Sequence, residues 1–161
     1  MKYFLTADEH YGHANIINYS KRPFNSTEEM DAVLIENNNR VVKDTDTVYH
    51  LGDFTLRGTK EAKNYIKKLK GNHIFLRGSH DYWAEKENLP YIIEVELYNK
   101  YIVLCHYAMK SWPRSFHGSL HAYGHSHGKM ERYNEHAYDV GVDCNEFAPV
   151  EVKSFIKLLT T

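Results

Sequence analysis

The chain has 161 residues, enough for one domain with a substantial core. Its 20 lysines and arginines stand against 21 aspartates and glutamates, a balance that argues against broad electrostatic binding to nucleic acid or to a membrane surface. Two cysteines, Cys105 in an apolar run and Cys144 in a late turn, read as reduced thiols. With no N-terminal apolar segment of signal-peptide or membrane-span length, the expectation is a cytoplasmic protein.

Residues 2–7 read as a first strand with Phe4 and Leu5 buried. Residues 13–19 read as a short helix with Ile16 and Ile17 on its apolar side, broken by Arg22-Pro23-Phe24. Ser26 with Glu29 three residues on has the form of a capping box and opens a longer helix, with Met30, Val33, Leu34 and Val41 in one stripe. A polar turn, Lys43 to Asp46, precedes strand two over 47–51. Thr59 is the expected cap of the next helix. Its Ala62, Tyr65, Ile66 and Leu69 face inward, while Lys60, Lys63, Lys67, Lys68 and Lys70 form a solvated face. Gly71 ends it, and 73–76 is strand three. After a linker or short helix over 82–88, segments 91–97 and 101–105 read as a hairpin joined at Asn99-Lys100. A loop over 110–119 leads to strands at 120–123 and 137–142. Pro149 opens a last helix whose Val152, Phe155, Ile156 and Leu159 face the core. Helices alternate with strands early and strands dominate late, which gives an α/β or α+β sandwich of two sheets in a single domain, 1–161.

Five of the apolar runs end in metal-ligand chemistry. Tyr3-Phe4-Leu5 leads to Asp8 and His10; Val48 to Leu51 leads to Gly52-Asp53; Ile74-Phe75-Leu76 leads to Arg77-Gly78-Ser79-His80-Asp81. Ile102 to Cys105 leads to His106, and Leu120 to Tyr123 leads to Gly124-His125-Ser126-His127. The C-terminal edge of strands is where open α/β sheets build their sites. Residues two apart on a strand point the same way, so Asp8 with His10, and His125 with His127 if that segment stays extended, can each grip one ion. Carboxylate and neutral imidazole suit divalent zinc, manganese or iron.

Asp8-x-His10, Gly52-Asp53, Gly78-Ser79-His80-Asp81, His106 and Gly124-His125-Ser126-His127 resemble, in order, the motifs of the calcineurin-like metallophosphoesterases. The likeness runs from the first strand to the last motif. It departs at Ser79, where that family has Asn. The resemblance implies a four-layer α/β/β/α sandwich of two mixed sheets flanked by helices, and two divalent transition-metal ions (Mn, Fe or Zn). It assigns Asp8, His10 and His127 to the first ion. His106 and His125 fall to the second, with Ser79 at the remaining ligand position and Asp53 bridging both. A metal-bridging hydroxide would attack a phosphomonoester or phosphodiester, with nucleotides among the candidate substrates. His80 would protonate the leaving oxygen as general acid, with Asp81 orienting its ring.

His13 beside the first motif, and Arg22, Arg57, Arg77 and Arg114, are candidates to meet the substrate, since guanidinium pairs two phosphate oxygens; structural ion pairing is the competing role for each arginine. His50 and His121 read as packing residues or supports behind the ligands. The second functional hypothesis is a catalytically weakened member of the fold serving as a binding scaffold, which Ser79 favours and the retention of Asp8, Asp53, His80, Asp81 and His125 opposes. Oligomeric state is not legible.

Overall fold

A computed structural model describes residues 1–160. The described elements run β1 (Tyr3–Thr6), α1 (Ala14–Tyr19), α2 (Thr27–Val41), β2 (Thr47–His50), α3 (Thr59–Ile66), β3 (Asn72–Phe75), α4 (Tyr82–Lys86), β4 (Ile92–Leu97), β5 (Lys100–Cys105), β6 (Leu120–Tyr123), β7 (Ala137–Asp139), β8 (Val150–Glu151) and α5 (Val152–Thr160). Two four-stranded mixed sheets form, ordered β3-β2-β1-β8 and β4-β5-β6-β7. In the first, β1, β2 and β3 are parallel and β8 is antiparallel. In the second, β4 is antiparallel to β5, and β5, β6 and β7 are parallel. The expected sandwich of two mixed sheets flanked by helices is what these strands build.

Alternation along each strand sets the layers. Leu5, Leu51 and Leu76 of the first sheet meet Ile102, Leu104, Leu120 and Ala122 of the second in one buried cluster, joined by Val152, Phe155 and Leu159 of α5. Residues on the other face of the first sheet are covered by helices: Ile16, Met30, Leu34, Ala62 and Trp83 pack with Tyr11, Phe54 and Phe75. Val103 and Tyr123, on the outer face of the second sheet, pack instead against Trp112 from the loop before β6. Fully burying an aliphatic side chain stabilises by about 1.5–3 kcal/mol, so the inner cluster dominates the sheet-to-sheet association.

Several local expectations need correction. Ser26 caps α2 as anticipated, its Oγ accepting from Glu29 N–H at 3.1 Å. The α2 stripe, however, does not reach Val41, which is exposed; Val42 is buried beyond the helix end. Asn37 and Asn38 fill the last inward positions, donating to the carbonyls of Phe147 and Lys70 at 3.1 and 3.2 Å. Gly58, not Thr59, is the residue before α3. The β4–β5 turn is Tyr98-Asn99, both with positive φ (51° and 59°). That is the twist a two-residue hairpin requires, so Lys100 is already in the ladder opposite Leu97. Val142 lies in a 3-10 turn rather than in β7. Pro149 leads into β8, which pairs with β1 before α5 starts at Val152. No helix among the described residues is long and apolar enough to cross a membrane.

Candidate metal centre

The loops after β1, β2, β3, β5 and β6 converge at one edge of the sandwich. Gly52 and Gly78 make this possible. A Cβ on Gly52, whose φ is +98°, would sit 2.5 Å from Gly78 Cα, and one on Gly78 would sit 2.2 Å from Asp53 N. Only paired glycines let these two loops touch.

The ligand-type residues do not sit on extended strand. Asp8, His10, Asp53, His125 and His127 have φ of 61°, 53°, 56°, 69° and 48°. Asp and His are among the non-glycine residues most often found in this left-handed region. The expected alternation of side chains is therefore not what aims them. Asp8, His10 and His127 bring ligand atoms within 4.8 Å of one another, and Asp53, His106 and His125 do the same in a second cluster. His125 and His127 thus part company, one to each cluster.

Asp53 stands between the clusters. Its Oδ2 is 3.5 Å from His10 Nε2 and 3.4 Å from His106 Nε2, while its Oδ1 accepts the His80 N–H at 2.8 Å. Ser79 is exposed and its Oγ donates to Asp53 Oδ2 at 3.0 Å.

The imidazoles are set up as acceptors toward the centre. His106 Nδ1 lies 2.9 Å from the Leu51 carbonyl. A carbonyl can only accept, so Nδ1 carries the proton and Nε2 presents its lone pair. His127 Nδ1 lies 2.8 Å from Asp143 Oδ2, with the same consequence for its Nε2; a carboxylate behind a histidine is the usual support of a metal-ligating ring. Asp8 Oδ1, His10 Nε2 and His106 Nε2 are buried without any hydrogen-bond partner. Three such atoms are costly in a folded chain unless something binds them, and a divalent cation in each cluster would meet all three, Asp8 Oδ1 and His10 Nε2 in one and His106 Nε2 in the other. Protonation follows the same logic. Burial, followed by the charge of Asp53, pushes the Asp8 carboxyl well above its usual range. Burial drives the His10 ring down to about 3. Burial also opposes ionisation of Asp53, but the neighbouring His106 outweighs it and holds that carboxyl below its ordinary range. The donor set fits transition-metal ions on chemical grounds.

Other expected site residues fall in three places. His80 is exposed at the rim, its ring centroid 5.7 Å from that of His10. His13 approaches the same ring, Nδ1 to Nδ1 3.3 Å, and Arg57 lies exposed beside Gly12, donating to its carbonyl at 3.3 Å. Asp81 does not orient His80. Its buried carboxylate accepts from the N–H groups of Asp53, Phe54, Thr55 and Gly78 and from Trp83 Nε1, at 2.6–3.3 Å, so it ties the β2 and β3 loops together. Arg22 is not at the surface for a phosphate: it is 4% exposed. It grips Asp143 through two bonds of 2.9 and 2.8 Å and donates to the carbonyls of Glu9 and Asp8. Arg77 pairs with Glu85 at 3.1 Å and lies over the Tyr91 ring, and Arg114 lies over Tyr101.

Two features carried no sequence signal. Asp143 is one. The other is a buried chain in which Glu9 Oε1 lies 2.5 Å from His50 Nδ1 and His50 Nε2 lies 2.9 Å from His73 Nδ1. Glu9 sits between Asp8 and His10 but reaches away from the centre, toward the helix-covered face where His50 stacks on Phe75.

No family model matches the chain. The uncharacterized protein MJ1445 of Methanocaldococcus jannaschii is 36% identical over 167 residues, covering 98% of this chain and 91% of that protein. The crystal structure of the protein of unknown function AQ665 from Aquifex aeolicus aligns with a TM-score of 0.78 at 26% identity, covering 98% of each chain. A Vps29 single mutant from Entamoeba histolytica aligns with a TM-score of 0.52 at 18% identity, over 88% of this chain and 73% of the other, a likeness of fold alone. The identity to the archaeal protein, sustained over nearly the whole of both chains, shows that this chain belongs to the family of MJ1445.

Proposed function

We propose that the protein is a metal-dependent phosphoesterase of the calcineurin-like type, acting on a phosphomonoester or phosphodiester. The observation that carries this reading is the trio of buried, unpartnered ligand atoms, Asp8 Oδ1, His10 Nε2 and His106 Nε2, arranged around Asp53. In this reading Asp8, His10 and His127 would hold one ion and Asp53, His106 and His125 a second, with Ser79 beside Asp53 and Asp53 standing between the two groups. When bound, the ions supply Lewis acidity to a phosphoryl oxygen and a source of hydroxide at neutral pH. The chain's own residues do the rest. His106 and His127 keep their Nε2 lone pairs turned inward through Leu51 and Asp143. Asp81 holds the Asp53 loop in place. His80, at the exposed rim, donates a proton to the leaving oxygen. The free Cys105 and Cys144 suit a reducing compartment such as the cytoplasm.

The test is hydrolysis of p-nitrophenyl phosphate and bis(p-nitrophenyl) phosphate with added manganese, iron or zinc. Hydrolysis should appear with metal and vanish, together with metal binding, in Asp53→Ala. His80→Ala should keep its metal and lose turnover by roughly 100-fold or more on alkyl esters, and less on nitrophenyl esters, which leave without a proton. Ser79 supports a second reading, a binding scaffold of the same fold: its short side chain hydrogen-bonds Asp53 where the resembling family has an asparagine. Metal binding without hydrolysis of any ester would favour it.

A further inference from the structure

Beside the centre the surface opens into two adjoining hollows that no ligand atom lines. The nearer, about 340 Å³, is bounded by His13, Asn15, Leu56 and Arg57. The farther, about 490 Å³, lies between α2 and α3 and is bounded by Asp31, Ala32, Ile35, Arg57, Tyr65 and Lys68. Gly12, Ala14 and Arg57 belong to both, so the Gly12–Ala14 segment is a saddle between them. His13 sits on that saddle and reaches to within 3.3 Å of His10. A group attached to a phosphate at the centre therefore meets His13 and Arg57 first and the deeper hollow next.

We propose that the deeper hollow is the leaving-group subsite and that it takes a nucleoside. This rests on the phosphoesterase reading for the word "leaving" but not for the binding itself. Size is the first argument: the hollow is far larger than a phosphate group needs. Chemistry is the second. Asp31 faces it with a carboxylate whose two oxygens are positioned by the Gly12 N–H at 3.1 Å and the Tyr65 hydroxyl at 2.9 Å. Each oxygen keeps a lone pair, so the pair of oxygens can accept from adjacent ribose hydroxyls. Ala14, Ala32 and Ile35 give a carbon wall against which a planar base can lie. Tyr65 is held rigid by stacking on Tyr11 at 4.7 Å, so the acceptor is fixed before a ligand arrives. Arg57 pairs with no carboxylate among the described residues, unlike Arg22 and Arg77, and beyond the one donor turned to the Gly12 carbonyl its guanidinium can meet the ester at the junction of the two hollows. A small aliphatic alcohol would leave both Asp31 and the carbon wall unmatched.

The experiment measures binding of adenosine, which has no phosphate, by calorimetry and by backbone amide shifts. It also measures the ratio of kcat/KM for AMP to that for acetyl phosphate, whose leaving group cannot reach the hollow. Ala32→Trp is the main variant. Ala32 is exposed on α2, so a large side chain there fills the hollow without disturbing the core. Asp31→Asn, whose one carbonyl oxygen can accept from Gly12 while its amide donates to the Tyr65 hydroxyl, is the second, and thermal melts show that both are folded. Adenosine should shift the amides of Gly12, Asp31 and Tyr65. Ala32→Trp should weaken adenosine binding and lower the AMP to acetyl phosphate ratio, each by about tenfold or more, with a smaller fall in Asp31→Asn. If acetyl phosphate is hydrolysed but adenosine does not bind and the ratio is the same in all three proteins, the subsite is wrong and the phosphoesterase reading survives. If neither ester is hydrolysed but adenosine binds and Ala32→Trp abolishes it, the subsite stands and the phosphoesterase reading falls.

Discussion

Asp143 Oδ2 lies 2.8 Å from His127 Nδ1 and 2.8 Å from Arg22 Nη2, so one carboxylate oxygen receives a histidine proton and a guanidinium proton at the same time. The geometry makes Asp143 the support of the His127 ring. His127 and Arg22 together overcome the burial of Asp143 and keep its carboxyl below the ordinary range, so it stays charged while it holds the ring.

Replacing it should have two effects. Asp143→Asn should keep the fold, as judged by circular dichroism, and weaken manganese binding to the Asp8 cluster by roughly 10- to 100-fold in isothermal titration. Both Asp143→Asn and Asp143→Ala leave the buried Arg22 charge uncompensated, so each should lose about 3–5 kcal/mol of stability, and more in Asp143→Ala, which also removes the remaining acceptor. Equal metal affinity in Asp143→Asn and the parent chain would show that His127 needs no such support.

Asp81 should behave as a structural residue. Its carboxylate collects four backbone N–H groups and one indole N–H, and each buried donor left unpaired costs about 1–3 kcal/mol. Asp81→Ala is expected to lower unfolding free energy in urea by on the order of 4 kcal/mol without metal present. A variant with an unchanged urea midpoint and reduced turnover alone would return Asp81 to the role of orienting His80.

Ser79 offers a gain rather than a loss. Its hydroxyl is spent on Asp53 Oδ2 at 3.0 Å, whereas an asparagine carbonyl at that place reaches farther and is a better neutral donor to a divalent ion. Ser79→Asn should tighten binding at the Asp53–His106–His125 cluster and raise turnover when manganese is limiting. Metal titration of both proteins decides it: equal affinity and equal rate would remove position 79 from the centre.

His73 supplies a pH test away from the ligands. Its ring is pushed down to about 3, first by burial and then by the charge of His50. An unfolded histidine takes up a proton near pH 6.5, so between about pH 6.5 and 3 the unfolded chain binds one proton more than the folded one at this position. The contribution of neutral His73 is thus fully present above pH 6.5 and is lost as pH falls toward 3, at up to about 1.4 kcal/mol per pH unit. Urea unfolding of the parent chain and of His73→Gln should therefore differ by a gap that changes with this slope between pH 6 and 4. A gap independent of pH would show that the ring is not held neutral.

How much of this was legible in advance follows from what each residue depends on. Asp8, His10, Asp53, His106, His125 and His127 stand out in the sequence because each follows a short apolar run, and strand ends are where side chains of this chemistry collect. Their left-handed backbones leave no such trace, which is why strand alternation paired His125 with His127 when the fold separates them. Asp143 is 16 positions beyond His127 and gains its role only when the 3-10 turn at Val142 folds beneath the ring. Arg22 was misplaced because a guanidinium recognises a carboxylate and a phosphate through the same two-pronged geometry, and only burial distinguishes the cases. Asp81 follows His80 directly, yet its side chain turns inward to the loop amides while His80 faces solvent. Pro149 suits the first turn of a helix and the approach to a strand alike, and a two-residue strand such as β8 is too short to show a period.

The two clusters have one further consequence, for the chain as a whole. Asp8 and His10 follow β1 and Asp53 follows β2, in the first sheet; His106, His125 and His127 follow β5 and β6, in the second. An ion in either cluster is a cross-link between the sheets. Asp8 and His125, whose backbone already donates to the Asp8 carboxylate, are 117 positions apart. Tying such distant segments removes freedom mainly from the unfolded chain, as a disulfide does. With both cysteines free, metal supply would set the lifetime of the folded chain, and a chelator would expose it to proteolysis by letting the two halves part.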